Sequence, residues 1–308
     1  MRVSFHPDYH VGLPPTHPFP MGKYTLLYAH LLGMGIISPA CVQEPIEAPL
    51  AMLARVHTND YLDRFGRGEL SAKELRVLGI PWSARLWRRS RLAVHGTYLA
   101  ACNALEDGIS ANLAGGTHHA FADHGEGFCV LNDVAVAIRE LQNTQAIARA
   151  LIVDLDVHQG NGTAAIFAED DSVFTLSIHG ARNYPAIKAR SSLDVDLPDG
   201  TADAHYLAAL ENALTIAIRE ADADIVFYIA GVDVVLGDRY GRLGLTVEGL
   251  RQRDAYVIKA IRSVGLPLVI ALGGGYAPTT LQTAHLHAIV FEEAIASFLG
   301  RSERCASP

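Results

Sequence analysis

Cysteine is scarce in this chain of 308 residues, and the four that occur lie far apart. They form no CxxC pair, so a zinc site built on cysteine is not expected; they are Cys41, Cys102, Cys129 and Cys305. Isolated thiols in a chain of this length are typical of a reducing compartment. The first residues, MRVSFHPDYH, lack the charged and apolar regions of a signal peptide. We therefore expect a cytoplasmic protein.

Long apolar runs and an excess of positive charge are also missing. No stretch approaches the roughly 20 apolar residues that a membrane-spanning helix needs. The formal net charge is -8, whereas proteins that bind nucleic acids generally carry a basic stripe. We expect neither a membrane nor a nucleic acid as partner, although a basic peptide or polyamine could still dock. The hydrophobic share of 50% is enough for a large core.

The chain does contain an alternation of short apolar runs and helical segments. The apolar runs predict strands at 110–114, 150–153, 173–178, 225–230 and 268–272. Because several are apolar on both faces, they suit a parallel sheet that is covered by helices on both sides. Helices are predicted near 22–35 and at 83–106, 132–142, 203–221, 247–264 and 279–299. This order predicts an α/β fold in a single domain over residues 1–308.

Ligands of such sheets bind beyond the carboxyl ends of the strands, where this chain carries Gly, His and Asp. Asp154, Asp156 and His158 follow one apolar run, and the alternation of strand side chains predicts that all three face one side. Burying two carboxylates and an imidazole without a cation is very costly. We interpret them as part of a site for zinc or a similar divalent ion. A salt-bridged strand end is the alternative.

Asp233 stands near the end of the apolar run 225–230. With Asp156 and His158 it would complete a set of two carboxylates and one histidine around one metal. Three protein ligands leave a position open for water and substrate, as catalytic zinc requires. A helix cap or a loop residue is the alternative for a lone aspartate.

Two adjacent histidines, His118 and His119, follow a glycine pair at another predicted strand end. One imidazole can take a proton from water, and the other can stabilise the transition state. Each needs an acceptor that orients it, and Asp154 and Asn161 are the candidates. The alternative is that both are surface residues.

The last predicted strand leads into three glycines and Tyr276. A phosphate cradle is weakly supported, because neither GK[ST] nor GxGxxG accompanies the glycines. We predict that the turn delivers the Tyr276 hydroxyl to a developing oxyanion, with core packing as the alternative. Gly127, Phe128 and Tyr184 are candidate channel walls, although aromatic residues are often core residues.

Five segments together resemble the histone deacetylase family, in the same order along the chain. They are GGTHHAF, GEGFCVLND, DLDVHQGNG, AGVDVVLGDRYGRLGLT and LGGGY. The HPF segment at 17–19, HQGNG, the GDRxGxL stretch and the short chain resemble the class IV (deacetylase-11-like) branch and its bacterial members. The resemblance implies the arginase–deacetylase fold, with one central, mostly parallel sheet of about eight strands flanked by helices.

The resemblance also implies residue roles and a reaction, the zinc-dependent hydrolysis of N-acyl-lysine amides. Zinc (Zn2+, one per chain) would be bound by Asp156, His158 and Asp233. His119 resembles the general base, His118 its electrostatic partner oriented by Asp154, and Tyr276 the residue that polarises the carbonyl. The acyl-lysine channel would be formed by Gly127, Phe128, Tyr184 and Gly274.

Members of the family also bind structural potassium (K+) beneath the zinc. The matching positions are Asp154, Asp156, His158, Ser177 and Ile178, and a second monovalent site would involve Phe167, Asp170 and Val173.

Two departures from the family pattern bear on activity and substrate. Asn161 stands where class I members have an aspartate that orients the general base, which is usual in other branches. The loop 78–89 contains no acidic residue to hold a substrate backbone. An acetylpolyamine or another small acyl amine is therefore the alternative substrate. An arginase-type ureohydrolase would need more metal carboxylates, and a silent acyl-lysine-binding protein would not need every catalytic position filled.

Overall fold

The computed structural model describes residues 1–302, so Cys305 lies outside the described residues. Among the described residues, eight strands form one sheet in the order β2-β1-β3-β8-β7-β4-β5-β6. Every neighbouring pair is parallel. The strands are β1 Val3–Ser4, β2 Val42–Gln43, β3 Ile109–Asn112, β4 Ala150–Asp154, β5 Val173–Gly180, β6 Leu193–Leu197, β7 Ile225–Ile229 and β8 Leu268–Ala271.

Helices connect and cover these strands. They are α1 Lys23–Gly33, α2 Leu50–Leu53, α3 Asn59–Arg67, α4 Ala72–Leu78, α5 Ala84–Asp107, α6 Asp133–Asn143, α7 Asn161–Ile166, α8 Asp203–Ala221, α9 Val247–Ser263 and α10 Thr280–Ser302. Within residues 1–302, none of them combines the length and the apolar composition needed to cross a bilayer.

The central strands are buried on both faces because helices pack against each side. Leu151 and Val153 of β4 belong to a core formed with α1, α8, α9 and α10. Ala150 and Ile152 alternate with them and belong to a second core with α5 and α6. This arrangement explains why the strand reads as a continuous apolar run. The predicted α/β fold with a parallel sheet of about eight strands is confirmed.

Local signals set the limits of several helices. The side chain of Asn132 accepts a hydrogen bond from the backbone N–H of Ala135 at 3.0 Å and so caps α6. Thr246 caps α9 in the same way. Helix α5 ends at Asp107 and is capped by Gly108, whose φ of 83° lies in the left-handed region that glycine tolerates.

The sequence patterns missed the outer strands and the short helices. Strands β1 and β2 have two residues each, which is too short to show a period. Strand β6 lies at the sheet edge, and its sequence LDVDL alternates because it is only partly covered. Helices α3 and α4 pack with the start of α5 in a third apolar cluster at the periphery.

Candidate functional site

The candidate site lies where four adjacent strands end. Strands β3, β8, β7 and β4 are neighbours in the sheet, and parallel strands bring their carboxyl ends to one edge. The loop after β3 carries the two histidines, the loop after β8 carries Tyr276, and the loop after β7 carries Asp233. The loop after β4 carries Asp156 and His158.

Asp156, His158 and Asp233 converge at this edge. Their ligand atoms all lie within 4.8 Å of one another, and all three residues are buried. Nδ1 of His158 lies 2.9 Å from Oδ1 of Asp156 and 3.2 Å from Oδ2 of Asp233. The backbone N–H of Val157 donates to Oδ1 of Asp233 at 2.9 Å, which ties the two loops together.

The predicted reason for this convergence was wrong in part. Strand β4 ends at Asp154, so Asp156 and His158 lie in a loop and not on a strand with alternating side chains. Oδ1 of Asp154 accepts a hydrogen bond from the N–H of Asp156 at 3.1 Å, and Oδ1 of Asp156 accepts one from the N–H of His158 at 3.0 Å. The sequence had predicted that β4 continues through these residues. Instead they form a loop, and hydrogen bonds to side-chain oxygens hold that loop in place.

The charges of these three side chains fit a divalent cation. Oδ2 of Asp233 is buried without a hydrogen-bond partner among the described residues, since its contact with His158 lacks hydrogen-bond geometry. Burial, followed by the negative charge of Asp156, raises the pKa of the Asp233 carboxyl to about 7. One imidazole edge cannot satisfy two buried carboxylates. Carboxylate and imidazole donors of this kind are ligands of zinc.

The two histidines occupy different electrostatic environments. Nδ1 of His118 lies 2.6 Å from Oδ2 of Asp154, whereas Nδ1 of His119 lies 2.6 Å from Oδ1 of Asn161. Burial lowers the pKa of His118, but the charges of Asp154 and Asp156 outweigh it and raise that pKa to about 9. Burial and the charge of His118 hold the pKa of His119 well below its usual range. A charged and a neutral imidazole thus lie side by side, with ring centroids 4.1 Å apart.

Tyr276 reaches the site through the glycine turn. A Cβ on Gly274 would lie 2.1 Å from Oδ2 of Asp233, so only glycine allows this close approach. Burial, with the charges of Asp233 and Asp156, raises the pKa of the Tyr276 hydroxyl well above its usual value. The hydroxyl therefore stays protonated and is a hydrogen-bond donor.

An open cavity of about 280 Å³ reaches His119, His158 and Tyr276, and we call it the tunnel. Phe128 and Tyr184 line it together with His119, His158 and Tyr276, and Arg76 stands at its exposed end. The lining also includes Val77, Leu78, Gly79, Gly127 and Tyr240. Gly127 packs on His119, because a Cβ there would lie 2.6 Å from Cδ2 of that ring. Gly274 lines an adjoining inner cavity instead of the tunnel.

The predicted potassium positions lie on the neighbouring strands β4 and β5 and in the loop that follows β4. Asp154 of β4 is the register partner of Ser177 on β5, and Ile178 follows it. Asp156 and His158 lie in the loop after β4. In the predicted second site, the N–H of Asp170 donates to the carbonyl of Phe167, and the N–H of Val173 donates to that of Asp170.

Three polar residues at the site were missed from the sequence. Glu126 accepts a hydrogen bond from Asn161, and Asp238 accepts one from the backbone of Tyr276. Arg253 donates to the loops that carry Asp156 and Asp233. Glu126 and Asp238 stand inside GEGFCVLND and GDRYGRLGLT, so those motifs could have drawn attention to them. Arg253 is fully buried within a helix, and no local pattern marks it.

Comparisons with known proteins agree with this geometry. Residues 17–290 match the histone deacetylase domain family. An uncharacterized protein of Picosynechococcus sp. is 44% identical over 95% of this chain and 97% of its own length. Histone deacetylase 2 of Arabidopsis thaliana is 32% identical over 86% of this chain and 71% of its own. A crystal structure of the HDA15 HD domain, 23% identical, superposes with a TM-score of 0.78 over 96% of this chain and 91% of that one. The chain therefore belongs to the histone deacetylase family, and its domain is that of a deacetylase.

Proposed function

We propose that this protein is a zinc-dependent deacylase that hydrolyses the amide of N-acyl-lysine, acetyl or longer, in proteins or peptides. The observation that carries the proposal is the convergence of Asp156, His158 and Asp233 beside a neutral His119 at the inner end of a tunnel. Membership of the histone deacetylase family supports the reaction class.

Asp156, His158 and Asp233 would hold the zinc. The two buried carboxylates balance the charge of the ion, and the imidazole is a neutral ligand. Oδ2 of Asp233, which has no hydrogen-bond partner among the described residues, is available as a metal ligand. Bound zinc would supply Lewis acidity, which makes a water easier to ionise and a carbonyl easier to attack.

The two histidines and Tyr276 divide the proton transfers between them. His119, neutral and held through Nδ1 by Asn161, takes a proton from the attacking water at Nε2. It then returns this proton to the leaving amine. His118 keeps its proton through Asp154 and stabilises negative charge nearby. The Tyr276 hydroxyl donates to the oxygen that becomes negative in the transition state.

The tunnel favours acyl-lysine over an acylated polyamine. Phe128 and Tyr184 form apolar walls suited to an alkyl chain, and the Gly127 carbonyl is the proposed acceptor for the substrate amide. Arg76 at the tunnel is exposed. Arg239 is also exposed, and it lines a second groove that shares Tyr276 with the tunnel. Their charge would repel a cationic polyamine.

We also propose that the chain belongs to the class IV branch of the family. The motifs HPF, HQGNG and GDRxGxL support the class IV branch, and the Picosynechococcus relative has nearly the same length. We propose structural potassium at Asp154, Asp156, His158, Ser177 and Ile178. A single catalytic domain over residues 1–308 and a cytoplasmic location stay predictions.

A substrate panel tests the function. Zinc-loaded protein should hydrolyse peptides carrying acetyl-, butyryl- or myristoyl-lysine to the free acid and the unmodified lysine peptide, and should act more slowly on acetylspermidine at equal concentration. Faster turnover of acetylspermidine would establish the alternative, a small acyl-amine amidohydrolase. Absence of turnover on the whole panel would contradict both.

Tyr276→Phe is the matched variant for this panel. Because it removes only the hydroxyl, the melting temperature should stay close to that of the wild type. Loss of one oxyanion donor should lower kcat by about 100- to 1,000-fold. Full activity in Tyr276→Phe would show that the oxyanion role is wrong.

A further inference from the structure

Glu126 lies at the end of a hydrogen-bond chain that starts at His119. Nδ1 of His119 lies 2.6 Å from Oδ1 of Asn161, and Nδ2 of Asn161 donates to Oε1 of Glu126 at 2.8 Å. The hydroxyl of Tyr184 donates to the same oxygen of Glu126. The Glu126 side chain is only 15% exposed. Reciprocal backbone hydrogen bonds with Cys129 hold it in place.

The orientation of the Asn161 amide determines which nitrogen of His119 carries the proton. An amide has an accepting oxygen at one end and a donating NH2 at the other, and either end could face His119. If the oxygen faces the ring, Nδ1 must carry the hydrogen and Nε2 has the lone pair of a base. If the NH2 faces the ring, Nδ1 must accept and Nε2 is protonated, so it cannot take a proton from water.

Glu126 removes this ambiguity. An ionised carboxylate only accepts hydrogen bonds, so it can face only the NH2 of Asn161. The oxygen of Asn161 is then left for His119. The neighbouring His118 needs no such relay, because Asp154 contacts its Nδ1 directly.

We propose that Glu126 is a positioning residue for the general base: its carboxylate sets the amide of Asn161 and thereby holds His119 in the tautomer with a free Nε2. The inference rests on the proposed deacylase function for its catalytic meaning, whereas the tautomer itself can be measured without turnover.

Glu126→Gln tests the proposal with almost no change of shape. A glutamine can donate or accept, so Asn161 can turn over and His119 should populate both tautomers. Nitrogen NMR of protein labelled at histidine, with the His119 signal assigned through a His119 variant, should show Nδ1–H alone in the wild type and a mixture in Glu126→Gln. Partners that orient catalytic ligands typically contribute about 10- to 100-fold. We expect a fall of that size in kcat, with KM within about twofold.

Two control variants separate this role from packing. His124→Gln changes an exposed neighbour whose Nε2 lies 3.6 Å from the other oxygen of Glu126, and it should leave activity and tautomer unchanged. Tyr184→Phe removes the second hydrogen bond to Glu126 and alters a tunnel wall. It should leave the His119 tautomer unchanged, and its effect should fall on KM.

Exchanging the carboxylate of Glu126 and the amide of Asn161 tests whether the lost activity can be restored. Asn161→Asp alone would place two carboxylates within hydrogen-bond distance and should lower activity. Glu126→Gln with Asn161→Asp moves the carboxylate next to His119 and should recover most of the kcat lost in Glu126→Gln.

An unchanged tautomer in Glu126→Gln overturns the proposal, whatever its activity. A mixed tautomer with unchanged kcat also overturns the positioning role. If the wild type shows the single tautomer but hydrolyses nothing on the substrate panel, the deacylase function fails while the orientation of His119 by Glu126 stands.

Discussion

The carboxylate of Asp238 holds the backbone of Tyr276: Oδ2 accepts a hydrogen bond from the Tyr276 N–H at 2.6 Å. Its other oxygen accepts from the N–H groups of Tyr240 and Gly241 at 2.8 and 2.9 Å. The ring of Tyr240 in turn lies edge-on to that of Tyr276, with centroids 4.9 Å apart. One side chain thus joins the loop after β7 to the loop that carries Tyr276.

Asp238→Asn should therefore impair catalysis as well as stability. The amide would turn an NH2 group toward backbone donors, so at least one of three hydrogen bonds is lost. We expect about 2 kcal/mol of destabilisation, the usual contribution of a hydrogen bond to a charged group, and a 10- to 100-fold fall in kcat, roughly the effect of losing an orienting partner. Denaturant unfolding and steady-state kinetics measure the two effects. The exposed Asp63→Asn is the control, and equal results for both variants would contradict the prediction.

Arg253 should be among the most important buried residues for stability. Its Nη1 donates to the carbonyls of Gly231 and Leu155 at 2.6 and 3.1 Å, in the loops that carry Asp233 and Asp156, and its Nε donates to Asp254 at 2.9 Å. Arg253→Met leaves the buried carboxylate of Asp254 without its charged partner, which should cost about 3–5 kcal/mol. Adding Asp254→Asn should cost less than the sum of the single changes. Additive effects in urea unfolding would show that the pair is not coupled.

Zinc should stabilise the folded protein through Asp233. A ligand that binds only the native state at about 1,000 times its Kd adds about 4 kcal/mol. Thermal unfolding of chelator-treated protein should therefore shift upward when zinc is restored, with one zinc per chain by elemental analysis. Asp233→Ala should lose most of this shift. An equal shift in that variant would place the zinc elsewhere.

His57, which lines neither the tunnel nor the inner cavity, should make stability depend on pH. Its Nε2 accepts a hydrogen bond from the N–H of Asn132 at 3.0 Å, and burial lowers its pKa from 6.5 to about 4. Between these values the unfolded chain binds a proton that the folded chain does not, so stability falls as the pH drops from 6.5 toward 4. The loss should approach about 3 kcal/mol.

His57→Gln is the matched variant for this effect. A glutamine oxygen can also accept from Asn132, but it does not titrate. The melting temperature of His57→Gln should therefore fall less between pH 6.5 and 4.5 than that of the wild type. Parallel pH curves for the two proteins would exclude His57 as the source.

The sequence predicted elements well where they are long and regularly covered. The five central strands and six long helices were found because burial on two faces, or along one helical stripe, leaves a pattern that spans many residues. Strands β1 and β2 left none, because two residues cannot show a period. The position of β6 at the sheet edge is visible only in the structure, where β6 pairs with β5 and with no other strand of the described sheet.

For the site, the sequence by itself determined the chemical types and their order: two aspartates and a histidine, paired histidines, and a tyrosine after glycines. These features are local in the sequence, because each group lies in the loop that follows a strand. Tertiary structure alone decided the contacts between loops that are distant in the chain. Asn161 is hydrogen-bonded to Glu126, and Tyr276 to Asp238. Arg253 is hydrogen-bonded to Leu155. All three contacts form only when the parallel sheet has brought the loops together. A hydrogen bond depends on distance and direction in space, and neither is encoded in the spacing of residues along the chain.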